Sequence, residues 1–131
     1  MGVTILLIEG HDELRKVIGE LLGHYDYQVM AVKTISEAHL HMESATPDLI
    51  MLDIQLPDGN GLDFCRELRK RGNKTPIMFL CGRTRDEHRK YITEAVNMYE
   101  CYESGGNGYM GKPFGIKELD RAIKRLLPKQ T

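Results

Sequence analysis

The stretch PDLIMLDIQLPDGNG, residues 47–61, decides the fold of this chain. Its apolar run Leu49–Leu52 contains no alternating polar residue, and prolines and glycines bound it. Such a run is typical of a strand that is buried on both faces of a parallel sheet. The run ends on Asp53, which places a carboxylate at the carboxyl end of the strand, where open α/β sheets bind their ligands. An alternative interpretation is that Asp53 only caps the following turn.

Composition indicates an ordinary globular protein of 131 residues, long enough for one domain with its own core. The net charge of −1 gives no electrostatic reason to expect a nucleic-acid or membrane partner. Neither a signal-peptide pattern nor an apolar run of about 20 residues is present. The cysteines Cys65, Cys81 and Cys101 are odd in number and widely spaced. This spacing favours reduced thiols in the cytoplasm over a disulfide framework or a zinc site.

Strand and helix patterns alternate along the whole chain. The predicted strands are Val3–Ile8, Tyr27–Val32, Leu49–Asp53, Pro76–Cys81 and Tyr109–Gly111. The predicted helices are Glu13–Leu22 (N-cap Asp12, C-cap Gly23), Ser36–Ser44, Leu62–Arg71, Arg85–Glu103 and Lys117–Leu127. The second strand is the most polar, so we expect it near an edge. Five successive strand–helix units predict a five-stranded parallel sheet that helices cover on both faces.

Four chemically distinctive side chains follow the ends of predicted strands. They are Glu9, Asp53, Cys81 and Lys112. The carboxyl ends of parallel strands meet at one edge of a sheet, so we expect these four side chains to lie close together. A lysine beside an aspartate can also be a plain ion pair, which contributes little if it is exposed.

Two motifs resemble those of bacterial response-regulator receiver domains, the CheY-like family. Residues 47–61 are similar to the phosphoacceptor segment of that family, and residues 109–114, YMGKPF, are similar to its YxxKPF signature. With the order of the strand–helix units, the resemblance covers nearly the full chain. It implies a flavodoxin-like, doubly wound (βα)5 sandwich, with residues 1–131 forming a single receiver domain and no output domain in this chain.

The resemblance also implies a chemistry for individual residues. Asp53 would accept a phosphoryl group from a histidine kinase or a phosphotransfer protein, and Lys112 would neutralise the phosphoryl oxygens. Mg²⁺ would be held by Glu9, by Asp53 and by the backbone carbonyl of Gln55. Tyr109 would be the switch aromatic, which responds to the residue at the Cys81 position. The Lys112–Pro113 bond of such domains is typically cis.

The acidic pair that usually follows the first strand of the family is incomplete here. Glu9 fills the first place, but Gly10 fills the second, which ordinarily supplies a metal ligand. The neighbouring His11 is a poor substitute because Mg²⁺ prefers oxygen ligands. We therefore expect weak Mg²⁺ binding, and we expect reduced crowding of charge to move the pKa of Asp53 down toward about 3.9.

Two further departures concern the switch and the signalling face. Cys81 stands where the family usually has Thr or Ser, and a thiol is only a weak hydrogen-bond donor. Alternatively, Cys81 is simply a small buried hydrophobe. The segment before the fifth strand is longer than is common in the family, and its predicted helix 85–103 carries several tyrosines. This helix either supplies an enlarged partner or homodimer surface, or packs its apolar stripe on its own sheet.

Three function classes follow from these patterns: a phosphorylated switch, a receiver in one fixed state, and an enzyme on the same architecture. A flavin carrier or an aspartate-nucleophile phosphatase is disfavoured because the loop after the first strand is acidic and the aspartate follows the third strand. We therefore expect a phosphoacceptor, not an enzyme. A degenerate receiver that holds one fixed state and only binds a partner is the alternative. The phosphorylated switch is favoured because Asp53, Lys112 and Tyr109 are all present.

Overall fold

Five parallel strands form the central sheet of the protein. The computed structural model describes residues 2–81, 97–112 and 114–127. In chain order the strands are β1 Thr4–Ile8, β2 Gln28–Val32, β3 Leu49–Asp53, β4 Gln55–Leu56, β5 Gly59–Asn60, β6 Ile77–Cys81 and β7 Gly108–Gly111. The main sheet has the order β2-β1-β3-β6-β7, and all of its pairings are parallel. This is the flavodoxin-like, doubly wound order, as predicted.

Helices cover both faces of this sheet. They are α1 Asp12–His24, α2 Ile35–Ser44, α3 Gly61–Lys70, α4 at residues 97–103 and α5 Ile116–Leu126. The predicted helix 85–103 is therefore described only from residue 97 onward. Its residues 85–96 lie outside the described residues, as does Pro113 with the Lys112–Pro113 bond. None of the helices in the described ranges is long and apolar enough to cross a membrane.

The strands divide their side chains between two apolar cores. One core packs the sheet against α2, α3 and α4, and includes Leu6, Ile8, Ile50, Leu52, Leu62, Phe64, Leu68, Phe79 and Cys101. The other packs the sheet against α1 and α5, and includes Ile5, Leu7, Ile18, Leu22, Leu49, Met51, Leu80, Leu119 and Ile123. Successive strand residues therefore face opposite cores, which is why the central strands have apolar residues at every position.

The prediction for the central strand is confirmed, because each residue of Leu49–Leu52 is fully buried. The polar strand β2 lies at the edge of the sheet, also as predicted. Two helix caps were predicted wrongly. His11, not Asp12, caps α1, and its Nδ1 accepts the Leu14 N–H at 3.2 Å. The helix then continues past Gly23 to a C-cap at Tyr25.

Asp12 is the first residue of α1, and its carboxylate makes ion pairs instead of capping the helix. It pairs with Arg15 at 2.9 Å and with Lys33 at 3.4 Å. The capping position is filled by the preceding imidazole of His11. The hairpin of β4 and β5 is a further difference, since the sequence predicted only a loop after Asp53.

Arg69 fixes the end of α3 to the chain that leads into β7. Its Nη1 donates to the carbonyls of Asn73 and Thr75 at 2.9 and 2.8 Å. Its Nε donates to the carbonyl of Gly105 at 2.9 Å, and its Nη2 to Asn107 Oδ1 at 2.8 Å. One side chain thus satisfies three backbone carbonyls and joins two loops. This end of the molecule lies opposite the carboxyl edge of the sheet.

Candidate functional site

The four predicted site residues lie at the carboxyl edge of the sheet. Asp53 ends β3 and Cys81 ends β6, whereas Glu9 and Lys112 directly follow β1 and β7. These four strands are consecutive neighbours in the sheet, and their registers align their carboxyl ends. The topology therefore brings together residues that are up to 103 positions apart in the chain.

Three of these residues form a charged cluster. The ammonium of Lys112 donates to Oε1 of Glu9 and lies 3.3 Å from Oδ2 of Asp53. The side chain of Glu9 is only 1% exposed, and those of Lys112 and Asp53 are 14% and 17% exposed. Glu9 Oε2 also accepts the backbone N–H of His11 at 3.2 Å. Glu9 is therefore held inside, while Asp53 retains access to solvent.

The two carboxyl groups have opposite pKa shifts. Burial, followed by hydrogen bonding to Glu9, raises the pKa of Asp53 to about 6, and the attraction of Lys112 offsets this only in part. Burial also opposes the ionisation of Glu9, but hydrogen bonds to Asp53 and Lys112 outweigh it and lower the pKa of Glu9. The expectation that the pKa of Asp53 falls toward its ordinary value is therefore wrong. The like charge beside Asp53 comes from Glu9, so the glycine at position 10 does not relieve it.

The oxygen atoms near Asp53 suit a magnesium ion. Carboxylates of Asp53 and Glu9, with the backbone carbonyl of Gln55, are the donors that Mg²⁺ prefers, and it needs only one or two carboxylates with water. A Cβ at Gly10 would lie 3.9 Å from the Gln55 carbonyl oxygen, so residue 10 borders this donor without contributing one. Within the described ranges, no group of three or more His, Cys, Asp or Glu residues could hold a metal. The donor set therefore fits Mg²⁺ but is sparse.

His11 does not replace the missing ligand. Its Nδ1 is engaged in capping α1, and its backbone N–H is bound to Glu9. Both oxygens of Glu9 are also engaged, because Oε1 is paired with Lys112 and Oε2 accepts the His11 N–H. Asp53 is consequently the most accessible carboxylate of the cluster.

Cys81 and Tyr109 lie on neighbouring strands beside this cluster. The Cys81 carbonyl accepts the backbone N–H of Lys112 at 2.7 Å, and its side chain is 7% exposed. Asn97, at the start of the described part of α4, donates its amide to Cys81 Sγ at 3.2 Å. Tyr109 is half-buried and packs against the core that faces α2 and α3. The thiol is thus a hydrogen-bond acceptor for α4, which the sequence did not predict.

The described part of α4 presents exposed apolar side chains. Met98, Tyr99 and Tyr102 are 45%, 69% and 50% exposed. The earlier part of the predicted helix, residues 85–96, lies outside the described ranges. Cys101 points the other way and is fully buried in the core. This stretch therefore buries one side and leaves a tyrosine-rich side in solvent.

Sequence reasoning missed three polar residues near the site. Asp58 and Asn60 in the hairpin accept backbone N–H groups at the starts of α2 and α3, and Asn97 contacts Cys81. The signal for Asn60 was present, since Asn directly before a helical pattern is a common cap. Asp58 and Asn97 make contacts between separate elements, and no local pattern reveals these.

Comparison with known proteins identifies the family of this fold. The family model of the response regulator receiver domain matches residues 5–124. The chain is 32% identical over 123 residues to YvcP, an uncharacterized transcriptional regulatory protein of Bacillus subtilis. This alignment covers 94% of the chain and 48% of YvcP. The chain thus spans about half the length of such curated relatives.

Two solved structures extend the comparison. A putative response regulator from Chloroflexus aurantiacus has a TM-score of 0.84 at 24% identity, over 98% of this chain and 100% of that one. The receiver domain of the sensor histidine kinase PA1611 from Pseudomonas aeruginosa has a TM-score of 0.77 at 30% identity, over 96% and 98% of the two chains. That structure has a magnesium ion coordinated in its active site cleft. The fold, the family match and the shared identity together establish that this chain belongs to the response-regulator receiver domain family.

Proposed function

We propose that this receiver domain accepts a phosphoryl group on Asp53 from a histidine kinase or a phosphotransfer protein, and then changes the surface that it offers to a partner. Receiver domains are the phosphoacceptors of two-component and phosphorelay signalling, and they are not enzymes in the usual sense. The observation that carries the assignment is the 3.3 Å approach of the Lys112 ammonium to Asp53 Oδ2 at a solvent-accessible strand end.

The transfer needs an ionised carboxylate and compensation of charge. An Asp53 oxygen forms a bond to phosphorus, the phosphorus–nitrogen bond of a phosphohistidine donor breaks, and the released imidazole takes a proton from water. Lys112 is positioned to offset the charge of the transferred oxygens. With a pKa of about 6, Asp53 is mainly ionised at neutral pH.

Mg²⁺ would be held by Asp53, by the carbonyl of Gln55 and by Glu9, directly or through water. When bound, it supplies further compensation of charge on the phosphoryl oxygens. The lack of a carboxylate at Gly10 supports a weak site, because the number of charged ligands sets much of the affinity.

The switch would run through Cys81 and Tyr109. In this proposal Cys81 turns toward the phosphoryl group and Tyr109 moves with it. The Asn97 hydrogen bond holds the Cys81 thiol on the side of α4. Movement of Cys81 therefore has to break this contact, which couples the phosphorylation site to α4.

The exposed side of α4 is the candidate partner surface. Met98, Tyr99 and Tyr102 form an amphipathic patch of the kind that interfaces favour, and the occupant is either a second copy or an output partner. Sedimentation of the phosphorylated protein and of a Tyr99→Ser/Tyr102→Ser variant tests the dimer. We expect association that the double variant loses, whereas a monomer at every concentration leaves only a different partner. We place the protein in the cytoplasm, where its three free thiols remain reduced.

Incubation with a small acyl-phosphate donor and Mg²⁺, followed by intact mass measurement, tests the central proposal. We expect one phosphoryl adduct, which Asp53→Asn abolishes and Lys112→Met slows. Asp63→Asn is the matched control, since Asp63 is an exposed aspartate that pairs only with Arg66 in the described structure. If no adduct forms at any Mg²⁺ concentration, or if the adduct persists in Asp53→Asn, the fixed-state receiver is the better description.

A further inference from the structure

The hairpin that follows Asp53 is tied to the first turn of α2 by one side chain. Asp58, at the tip of the hairpin, accepts the backbone N–H of Ile35 at 2.9 Å and that of Ser36 at 3.0 Å. The hydroxyl of Ser36 also donates to Asp58 at 3.0 Å. The first N–H groups of a helix have no partner within the helix, so a carboxylate is well suited to them. These N–H groups hold the pKa of Asp58 below its ordinary value.

The rest of the hairpin is also closely packed. A Cβ at Gly59 would lie 2.8 Å from the Ile35 side chain, which shows how near the hairpin lies to α2. On the other side of the hairpin, a Cβ added at Gly10 would lie 3.1 Å from the Pro57 side chain. The hairpin is therefore held between the loop after β1 and the start of α2.

Gln55 is the first residue of this hairpin. It pairs with Asn60, whose side chain caps α3 by accepting the Leu62 N–H at 2.7 Å. The backbone of Gln55 is thus fixed through Asn60 at one end of the hairpin and through Asp58 at the tip. Of these two restraints, only Asp58 connects the hairpin to α2.

We infer that Asp58 is a positioning residue for the Mg²⁺ site, because its hydrogen bonds to α2 hold the hairpin in the position from which the Gln55 carbonyl would bind the metal. This inference rests on the proposed function, in which that carbonyl is a ligand. Asp58 is not proposed as a ligand, because both of its carboxylate oxygens accept hydrogen bonds from α2. Residues that orient metal ligands typically change affinity by about 10-fold or more when they are replaced.

The chain offers a matched control for the loss of a helix cap. Thr34 caps the same helix α2, through the Glu37 N–H at 3.1 Å, and makes no hydrogen bond to the hairpin in the described structure. Thr34→Ala and Asp58→Ala should therefore both weaken the start of α2. Only Asp58→Ala should also release the hairpin. Asp58→Asn removes the negative charge but keeps one oxygen acceptor, so it separates positioning from simple attraction of the cation.

The experiment is a Mg²⁺ titration of the parent, Asp53→Asn, Asp58→Ala, Asp58→Asn and Thr34→Ala proteins, at constant ionic strength. Binding is followed by the backbone amide resonances of residues 54–60, and amide exchange at Ile35 and Ser36 reports the state of the cap. We expect the dissociation constant to rise about 10-fold in Asp58→Ala and less in Asp58→Asn. Thr34→Ala should keep the parent affinity although its thermal stability falls.

Three results would overturn the inference. Equal Mg²⁺ affinity in Asp58→Ala and Thr34→Ala would show that Asp58 is only a helix cap. Equal weakening in Asp58→Ala and Asp58→Asn would show that charge, not position, is what matters. If the parent binds Mg²⁺ no better than Asp53→Asn does, the metal site of the proposed function fails first, and the role of Asp58 with it.

Discussion

Glu9 and Lys112 form an ion pair at the carboxyl edge of the sheet, with the Glu9 carboxylate almost fully buried. Asp53 lies beside this pair and shares the lysine at 3.3 Å. One ammonium thus faces two carboxyl groups, of which the buried one is the more strongly held. The accessible one, Asp53, has the raised pKa of about 6.

This arrangement predicts that Asp53→Asn stabilises the metal-free protein at neutral pH. The folded-state pKa of Asp53 lies above its ordinary value of 3.8, so the folded protein binds this proton more tightly than the unfolded chain. Stability is therefore lost as pH rises from about 4 to about 6, and the loss persists above that range. We expect Asp53→Asn to raise the free energy of unfolding by about 2 kcal/mol at about pH 7.5 and by little at about pH 4.

Urea unfolding in the presence of EDTA at these two pH values measures the effect. Asp63→Asn is the control, because this aspartate is exposed and is paired with Arg66 at the surface. A gain of the same size at both pH values would show that ionisation of Asp53 is not its cause. Added Mg²⁺ should stabilise the parent more than Asp53→Asn.

Much of the site could be predicted because it follows from strand ends. The carboxyl ends of parallel strands share one edge, so Glu9, Asp53 and Lys112 could be placed together from the strand pattern and the motifs. The contacts of Asp58 with α2 and of Asn97 with Cys81 could not be predicted. They depend on how loops and helices approach each other in space, and periodicity along the chain does not encode this. The raised pKa of Asp53 escaped prediction for a related reason, because it depends on burial and on the exact approach of Glu9.

The hydrogen bonds of Arg69 predict that Arg69→Lys, which keeps the positive charge, will lower the stability of the fold. Lysine has a single ammonium group and cannot replace the hydrogen bonds that the guanidinium donates to three carbonyls and to Asn107. We expect Arg69→Lys to lower the free energy of unfolding by about 2–3 kcal/mol. Arg66→Lys, on the same helix, alters only an exposed ion pair with Asp63 and should change it by less than about 0.5 kcal/mol. Equal effects in chemical denaturation of the two variants would contradict this.

Because residue 81 is a cysteine, we expect phosphorylation to be only weakly coupled to movement of the Tyr109 ring. A thiol gives the phosphoryl group a poorer hydrogen bond than a hydroxyl, whereas Cys81→Thr would supply a hydroxyl at the same position. We expect phosphorylation to shift the NMR signals of the Tyr109 ring more in Cys81→Thr than in the parent. Cys81→Ala, which offers no donor, should give the smallest shift. Identical shifts in all three proteins would mean that residue 81 does not carry the switch.

Because Gly10 offers no ligand, we expect the single substitution Gly10→Asp to increase the affinity for Mg²⁺. The backbone at Gly10 lies outside the left-handed region, so a side chain can be placed there. An added Cβ would lie 3.9 Å from the Gln55 carbonyl oxygen. An aspartate at position 10 would therefore bring a carboxylate next to the proposed ligands. The same Cβ approaches Pro57 at 3.1 Å, a tight contact that any side chain at this position must accommodate. Gly10→Ala is the matched control, because it introduces this contact without the carboxylate.

We expect Gly10→Asp to lower the Mg²⁺ concentration required for half-maximal phosphorylation by about 10-fold, because a further charged ligand strengthens a site of oxygen donors. Gly10→Ala should leave that requirement unchanged or raise it slightly. Glu9→Gln shows whether Glu9 serves in place of the missing aspartate. If Glu9→Gln raises the requirement strongly and Gly10→Asp does not lower it, then Glu9 already serves as the effective ligand, directly or through water. If none of the three substitutions changes the Mg²⁺ titration, the metal is bound without the loop that follows β1, and the weak site cannot be attributed to Gly10.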